Sequence, residues 1–277
     1  MTEIKWGVIG GSGLYELLDD VEEVKISTPF GEPSDSLFAG EVGGRGVVFL
    51  PRHGRGHRVP PHRINYRANL WALRSLGVER VLAPSAVGGL RAEYGPGTLL
   101  VPDQFVDRTS GRVQTFYDGE SLPGEGPDLP GGAEGVVHVS LADPYCPDGR
   151  EAALAAARAH GWEPVDGGTL VVIEGPRFST RAESRWFAEN GWSVVGMTGH
   201  PEAVLARELA LCYTPLCLVT DLDAGVERGD GVTMAEVFAE FSRNVDRLRS
   251  VLFTALERLS TRRDCACSRV LDGMGAA

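Results

Sequence analysis

Short runs of apolar, largely β-branched residues alternate along the chain with longer stretches whose apolar positions recur at helical spacing. The runs KWGVI, GVVFL, RVLAP, TLLVPDQFV, TLVVIE, SVVGM and PLCLVT predict strands. Between them, NYRANLWALRSLG carries Leu70, Leu73 and Leu76 on one helical face and stops at Gly77, and the alanine-rich DGREAALAAARAHG also closes on glycine. Thr180 and Glu183 open TRAESRWFAENG three residues apart, the spacing at which side chain and backbone cap each other. A last long helix begins at Thr233, boxed with Glu236, and its stripe Met234, Val237, Phe238, Phe241, Val245, Leu248 and Leu252 is expected to be buried. This alternation predicts an α/β protein: a single domain over residues 1–260 with a mixed central sheet flanked by helices, followed by a C-terminal tail, 261–277. The glycine-, proline- and acid-rich segment 118–135 reads as a surface loop, because strand-like GVVHVSL resumes directly after it.

Composition narrows the partners. Among 277 residues, 27 Lys and Arg face 38 Asp and Glu, a net charge of −11, so the average surface repels nucleic acid and anionic membrane. No apolar run approaches the ~18 residues that span a bilayer, and the N-terminus lacks a signal-peptide pattern, so a cytoplasmic location is expected. Five cysteines in so long a chain argue against a disulfide framework. Cys265 and Cys267 form a C-A-C pair, readable either as a local redox pair or as unpaired thiols in a mobile tail.

Several strand ends carry groups suited to an anion. GVIGGSGL ends a strand in a glycine turn, but it is not a dinucleotide fingerprint, because Glu16 falls where the last glycine belongs, and no lysine follows as in a Walker loop. What remains is a turn whose backbone N–H groups and Ser12 hydroxyl can face an anion, or simply a tight turn. LPRHGRGHRVPPHR concentrates arginine and histidine in an acidic chain. His53 and His57 are spaced for a metal only on a helix, which the intervening glycines oppose, so an oxyanion suits them better than zinc; a solvated basic loop is the plain alternative. APSAVGG offers a third small-residue turn, with Ser85 and Ala86 at a strand end.

Taken in order, GVIGGSGL, RHGRGH, NYRANLWAL, DQFVDRT, IEGPRFSTRAES, MTGHPEA and TDLDAG resemble the family of methylthioadenosine phosphorylases and purine nucleoside phosphorylases, from about residue 4 to residue 258. The resemblance implies that family's partly barrel-like sheet and phosphorolysis: phosphate attacks C1′ of a purine nucleoside with inversion, without metal or organic cofactor. It implies that Ser12, Arg52, His53, Ser85, Ala86 and Thr198 surround the phosphate, that Met197 lies against the ribose, and that Phe178, Ser179, Asp221 and Asp223 face the base. It also places His138 where a residue is lent to a neighbouring subunit's site, implying an oligomer, usually a trimer.

The chemistry is compatible with those roles. A purine leaves slowly as an anion, so N7 must be protonated or hydrogen-bonded, and an aspartate whose pKa is raised by desolvation can do this; Asp221, at a strand end, is the expected acid. In the resembled family the 6-oxopurine branch carries Asn and Glu at the positions of Asp221 and Ser179, so both positions here are of the adenine type; inosine or guanosine phosphorolysis is the alternative. Met234, Val237 and Phe238 match the family's apolar 5′-methylthio pocket, with core packing as the other reading. Two features depart from the family pattern: Gly199–His200, and the segment VERGDG before the last helix.

Overall fold

The computed structural model describes residues 3–11, 14, 18, 21–119, 136–226 and 231–272. Ser12, most of the acid-glycine loop (120–135) and residues 227–230 of VERGDG lie outside the described residues.

The strands are β1 (Ile4–Gly10), β2 (Glu22–Val24), β3 (Leu37–Val42), β4 (Arg45–Pro51), β5 (Arg80–Gly89), β6 (Leu99–Val101), β7 (Gln104–Arg108), β8 (Val165–Asp166), β9 (Thr169–Ile173), β10 (Val194–Gly196) and β11 (Cys212–Leu222). The helices are α1 (Tyr66–Ser75), α2 (Pro147–Ala159), α3 (Arg181–Glu189), α4 (Gly199–Glu208) and α5 (Met234–Arg258). The sheet is mixed: β1 lies parallel between β4 and β5, β11 is parallel to β5, and β10 joins β5 antiparallel. From β5 a circuit runs through β10, β9 and β7, back through Pro102–Asp103 to β6, and home by β11. That covalently completed ring is the barrel-like part of the sheet.

Strand alternation sorts the two helical layers. Val8, Val47 and Phe49 face a core shared with α2 and α5, whereas their neighbours Ile9, Val48 and Leu50 face a core shared with α1 and α4. Both expected capping boxes form: the Thr180 side chain accepts from the Glu183 N–H, and that of Thr233 from the Glu236 N–H, while each glutamate returns the bond. Each such cap contributes about 1 kcal/mol. Asn65 caps α1 without that return bond, its side chain accepting from the Ala68 N–H.

Three expectations need correction. TLLVPDQFV is two strands, because proline cannot donate to a ladder and the chain turns at Pro102. GVVHVSL forms no strand beyond an isolated bridge from Asp118 to Val136. Its valines gave a strand pattern, but Val137 packs against the core shared with α1 and α4 without joining a ladder. Residues 261–272 are not a loose tail: Cys265, Cys267 and Leu271 are buried.

Candidate active site

β5 and β11 run side by side and carry the two halves of the site. Ser85 pairs with Cys217, Ala86 with Leu218 and Val87 with Val219, but Gly88 pairs with Asp221, so Thr220 is an extra, bulged residue. A bulge re-aims the side chains beyond it. Here it lets Thr220, Asp221 and Asp223 all line one cavity with Ser85 and Ala86. Gly88 makes the approach possible, since a Cβ there would lie 3.1 Å from Asp221 Oδ1.

Into the same cavity β4 delivers Arg52 and His53, the β10–α4 junction delivers Met197 and Thr198, and the segment after β9 delivers Phe178 and Ser179. The first turns of α5 add Met234, Val237 and Phe238. Every described residue expected at the site is thus brought together except His138, which is exposed and does not line this chain's cavity. Ser12 lies outside the described residues, although its neighbour Gly11 lines the cavity.

The anion corner differs from a simple cationic pocket. Arg52 is buried, and burial works against its charge, but Glu202 beside it holds the guanidinium above its ordinary pKa. Its Nε and Nη2 donate to Glu202, Nη1 to the Pro84 carbonyl and Nη2 to the Ile9 carbonyl. Tyr213 Oη donates to the same carboxylate. The arginine fork therefore ties β1, β4, β5 and α4 together and turns mostly away from an incoming anion. His53 is neutral: burial, chiefly, depresses its pKa to about 3. Its Nδ1 lies 2.9 Å from the Val59 carbonyl, which can only accept, so Nδ1 carries the proton and Nε2 keeps a lone pair.

At the other corner the polar groups are acidic and underused. Burial raises the Asp221 carboxyl to about 6, assisted by Asp223 and Glu236 and opposed by the Thr220 hydroxyl, which donates to Oδ2 at 2.9 Å. Asp223 is also raised by burial, with the Ser184 and Ser179 hydroxyls pulling back. Ser179 thus lies close to Asp223, yet its Oγ and the Asp223 Oδ2 are buried without a well-formed hydrogen bond among the described residues. A buried polar atom left unpaired costs about 1–3 kcal/mol, and both atoms border the cavity, where a ligand can complete their bonding.

The start of α5 corrects the expectation of a buried stripe. Met234 is 61% exposed and Val237 and Phe238 are half-buried, whereas Phe241, Leu248 and Leu252 are core. The stripe therefore changes role along the helix, from cavity wall to packing. His57 shares that wall, stacked on His53 at 4.3 Å and edge-on to Phe238 at 5.6 Å, and burial lowers its pKa.

Sequence reasoning grouped His57 with the anion-binding histidines, whereas it lines the cavity against Phe238, and it missed the supports. Arg112 donates to the carbonyls of Met197, His200 and Glu174, holding the loop that carries Met197 and Thr198. Nothing in GRVQTF marked it. The Gly199–His200 departure lies off the cavity: His200 is buried 3.3 Å from Asp107.

A mixed α/β sheet whose strand ends hold an anion corner and a carboxylate corner in one cleft, walled by apolar side chains, defines the nucleoside phosphorylase class. The chain belongs to the Phosphorylase superfamily, whose family model matches residues 5–257. It is 69% identical to a purine nucleoside phosphorylase of Streptomyces coelicolor over 97% of this chain and 94% of that protein. It is 54% identical to an S-methyl-5'-thioadenosine phosphorylase of Mycolicibacterium smegmatis, over 94% and 93%. Among solved structures, methylthioadenosine phosphorylase from Schistosoma mansoni in complex with adenine superposes with a TM-score of 0.83 at 39% identity, covering 92% of this chain and 91% of that one.

Proposed function

We propose that the protein cleaves 5′-methylthioadenosine, or a closely related 5′-deoxy-5′-substituted adenosine, with inorganic phosphate, giving adenine and the 5-substituted ribose 1-phosphate. One observation carries this reading. The unpartnered Ser179 Oγ and Asp223 Oδ2 lie with the raised Asp221 carboxyl in the cavity that also holds Arg52, His53, Ser85, Ala86 and Thr198. Along β5, Ala86 and Gly88 are two residues apart and Ser85 and Gly88 three, about 7–10 Å at strand rise, enough to seat a pentose between phosphate and base.

Phosphate enters from the Ser85–Ala86 side. One of its oxygens bonds to C1′ as the bond from C1′ to N9 breaks, with the electron pair leaving on the purine. Asp221 gives its proton to N7, so the base departs neutral and the carboxylate is reprotonated from solvent. In the free protein a pKa of about 6 leaves only a minority of Asp221 protonated at neutral pH. A bound purine excludes further water and raises that fraction. The phosphate's charge stabilises the positive sugar electrostatically while the backbone and hydroxyls hold it in line. Ser12 would complete the phosphate cradle. The scheme uses phosphate as co-substrate and neither metal nor organic cofactor.

The base and 5′ specificities follow from the walls. A carboxylate accepts from a 6-amino group but repels a 6-oxo group, and leaving such a group mispaired costs orders of magnitude in discrimination. Met234, Val237, Phe238 and the neutral His57 offer a 5′ substituent an apolar, sulfur-compatible surface rather than a charged partner. His138 is exposed on its own chain, which suits a role in a neighbouring subunit's site; we infer a homotrimer or a multiple of it, acting in the cytoplasm. Among the described residues no helix is long and apolar enough to cross a membrane.

The experiment is a base-release assay on methylthioadenosine, adenosine and inosine, with and without phosphate. Adenine released from methylthioadenosine only with phosphate is the expected result. Hypoxanthine from inosine as the dominant product would assign the 6-oxopurine activity instead, and adenine formed equally fast without phosphate would make the protein a hydrolase.

A further inference from the structure

Four cysteines from three separate segments converge away from the cavity. Cys146 precedes α2, Cys212 opens β11, and Cys265 and Cys267 flank Ala266 after the end of α5. All four are buried, and together they make a hydrophobic cluster that contains no other residue type. Their sulfurs all lie within 4.8 Å of one another, with Cys212 to Cys265 at 3.4 Å and Cys146 to Cys265 at 3.8 Å.

We propose that Cys146, Cys212, Cys265 and Cys267 bind one structural zinc ion as thiolates, pinning the C-terminal segment to the sheet. An ion with four sulfurs at about 2.3 Å sets those sulfurs about 3.8 Å apart, the edge of a tetrahedron, and the observed separations bracket that edge. An all-thiolate tetrahedral set selects zinc or iron among common ions, and so tight a cluster leaves room for one ion rather than several. Four thiolates around a dication leave two negative charges, and guanidinium groups are fixed beside the segments that carry them. Arg80 stands opposite Cys212 in register and is almost fully buried; it pairs with Asp148 through Nη1 at 3.5 Å, donates to the Arg262 carbonyl at 2.7 Å and keeps its Nε without a partner among the described residues. Arg263, two residues before Cys265, donates to the Ala210 carbonyl two residues before Cys212 and pairs with Glu79 at 3.4 Å. Backbone bonds from Cys146 to the Tyr213 carbonyl and from Cys212 to the Glu79 carbonyl hold two of the ligands in place before any ion arrives.

This site departs both from the expectation of a chain without metal and from the reading of Cys265 and Cys267 as a redox pair. None of the four cysteines lines the catalytic cavity, so the ion serves stability rather than turnover. Binding to the native state alone stabilises it by mass action, and a chelator withdraws that stabilisation.

The test uses the full chain, reduced, loaded with zinc chloride and freed of excess by gel filtration, with metal measured by mass spectrometry. The expected result is about one zinc per chain. Replacement by cobalt should give the intense thiolate-to-cobalt charge-transfer absorption of a tetrahedral sulfur site, and chelation should lower the melting temperature. Cys146→Ala and Cys267→Ala should lose the ion, whereas Cys217→Ala, at a buried cysteine outside the cluster, should keep it. Should the cluster variants not fold, the unmodified chain still decides by alkylation under denaturing conditions after chelation. All five cysteines alkylated together with stoichiometric zinc supports the proposal. Two disulfides among the four, or free thiols with no bound zinc, overturns it. Neither reading depends on catalytic activity.

Discussion

The guanidinium of Arg52 lies edge to edge with the carboxylate of Glu202, Nε to Oε1 at 2.6 Å and Nη2 to Oε2 at 3.1 Å, with both side chains at most 2% exposed. The most conspicuous cation of the anion corner is therefore neutralised before any anion arrives. On the proposed function, phosphate is held mainly by backbone N–H groups, hydroxyls and whatever the paired arginine still offers. Removing one member of a buried pair leaves the other charge uncompensated, at a cost of about 3–5 kcal/mol. Glu202→Ala should lose stability on that scale in denaturant unfolding. Glu202→Gln should lose less and, because Arg52 then presents net charge, should lower the phosphate KM several-fold. A Glu202→Ala chain as stable as the parent would show that the pair does not hold the strands together.

Asp221 is expected to trade stability for activity. Its folded pKa of about 6 lies above the ordinary 3.8, so the native state holds the proton more tightly than the unfolded chain. The carboxyl is thus harmless at low pH and destabilising once pH rises through the interval between those values. Asp221→Asn removes the burden. After discounting for partial exposure, it should gain on the order of 1–2 kcal/mol above pH 6 and almost nothing near pH 3. The same variant should lose most phosphorolysis. Melting curves at the two pH values, beside rates on methylthioadenosine, test both halves.

Thr220 tunes that acid. Its hydroxyl donates to Asp221 Oδ2 and so favours the charged form. Thr220→Val keeps the shape and removes the donor, and the Asp221 pKa should rise. The fall of kcat/KM at high pH, where the free protein's acid has lost its proton, should then begin at higher pH than in the parent. Comparing the two chains at equal phosphate cancels the titration of phosphate itself. An unmoved limb would assign the proton to another group.

How much of this was legible beforehand depended on range. Thr180, Thr233 and Asn65 cap helices through neighbours three residues away, and the strand runs β1, β4, β5, β9 and β11 carry their own apolar signature, so the fold class followed from local pattern. The expected site residues came from whole motifs that resemble a family, not from any one residue that declared itself. What stayed hidden is what three dimensions create. Glu202 sits 150 residues from Arg52, and Arg112 reaches Met197 across 85. The Thr220 bulge leaves no mark in composition. Cys265 and Cys267 looked like tail residues because their partners, Cys146 and Cys212, are distant in the chain.

Gly175 guards the position of Met197. Its φ is +63°, a conformation L side chains adopt only under strain, and a Cβ there would lie 2.6 Å from Met197 Sδ. Gly175→Ala therefore meets two separate costs, backbone strain and a collision with the side chain expected against the ribose. The nucleoside KM should rise about tenfold or more while the phosphate KM moves little, because Ser85 and Ala86 stand on β5, away from this turn. The two costs can be separated: Met197→Ala relieves the collision but not the strain. In the double variant, the loss relative to Met197→Ala alone should be smaller than the loss Gly175→Ala causes in the parent, giving a coupling of about 0.5–3 kcal/mol in a double-mutant cycle. Strict additivity would mean that the collision is absorbed elsewhere and that Gly175 acts through its backbone alone.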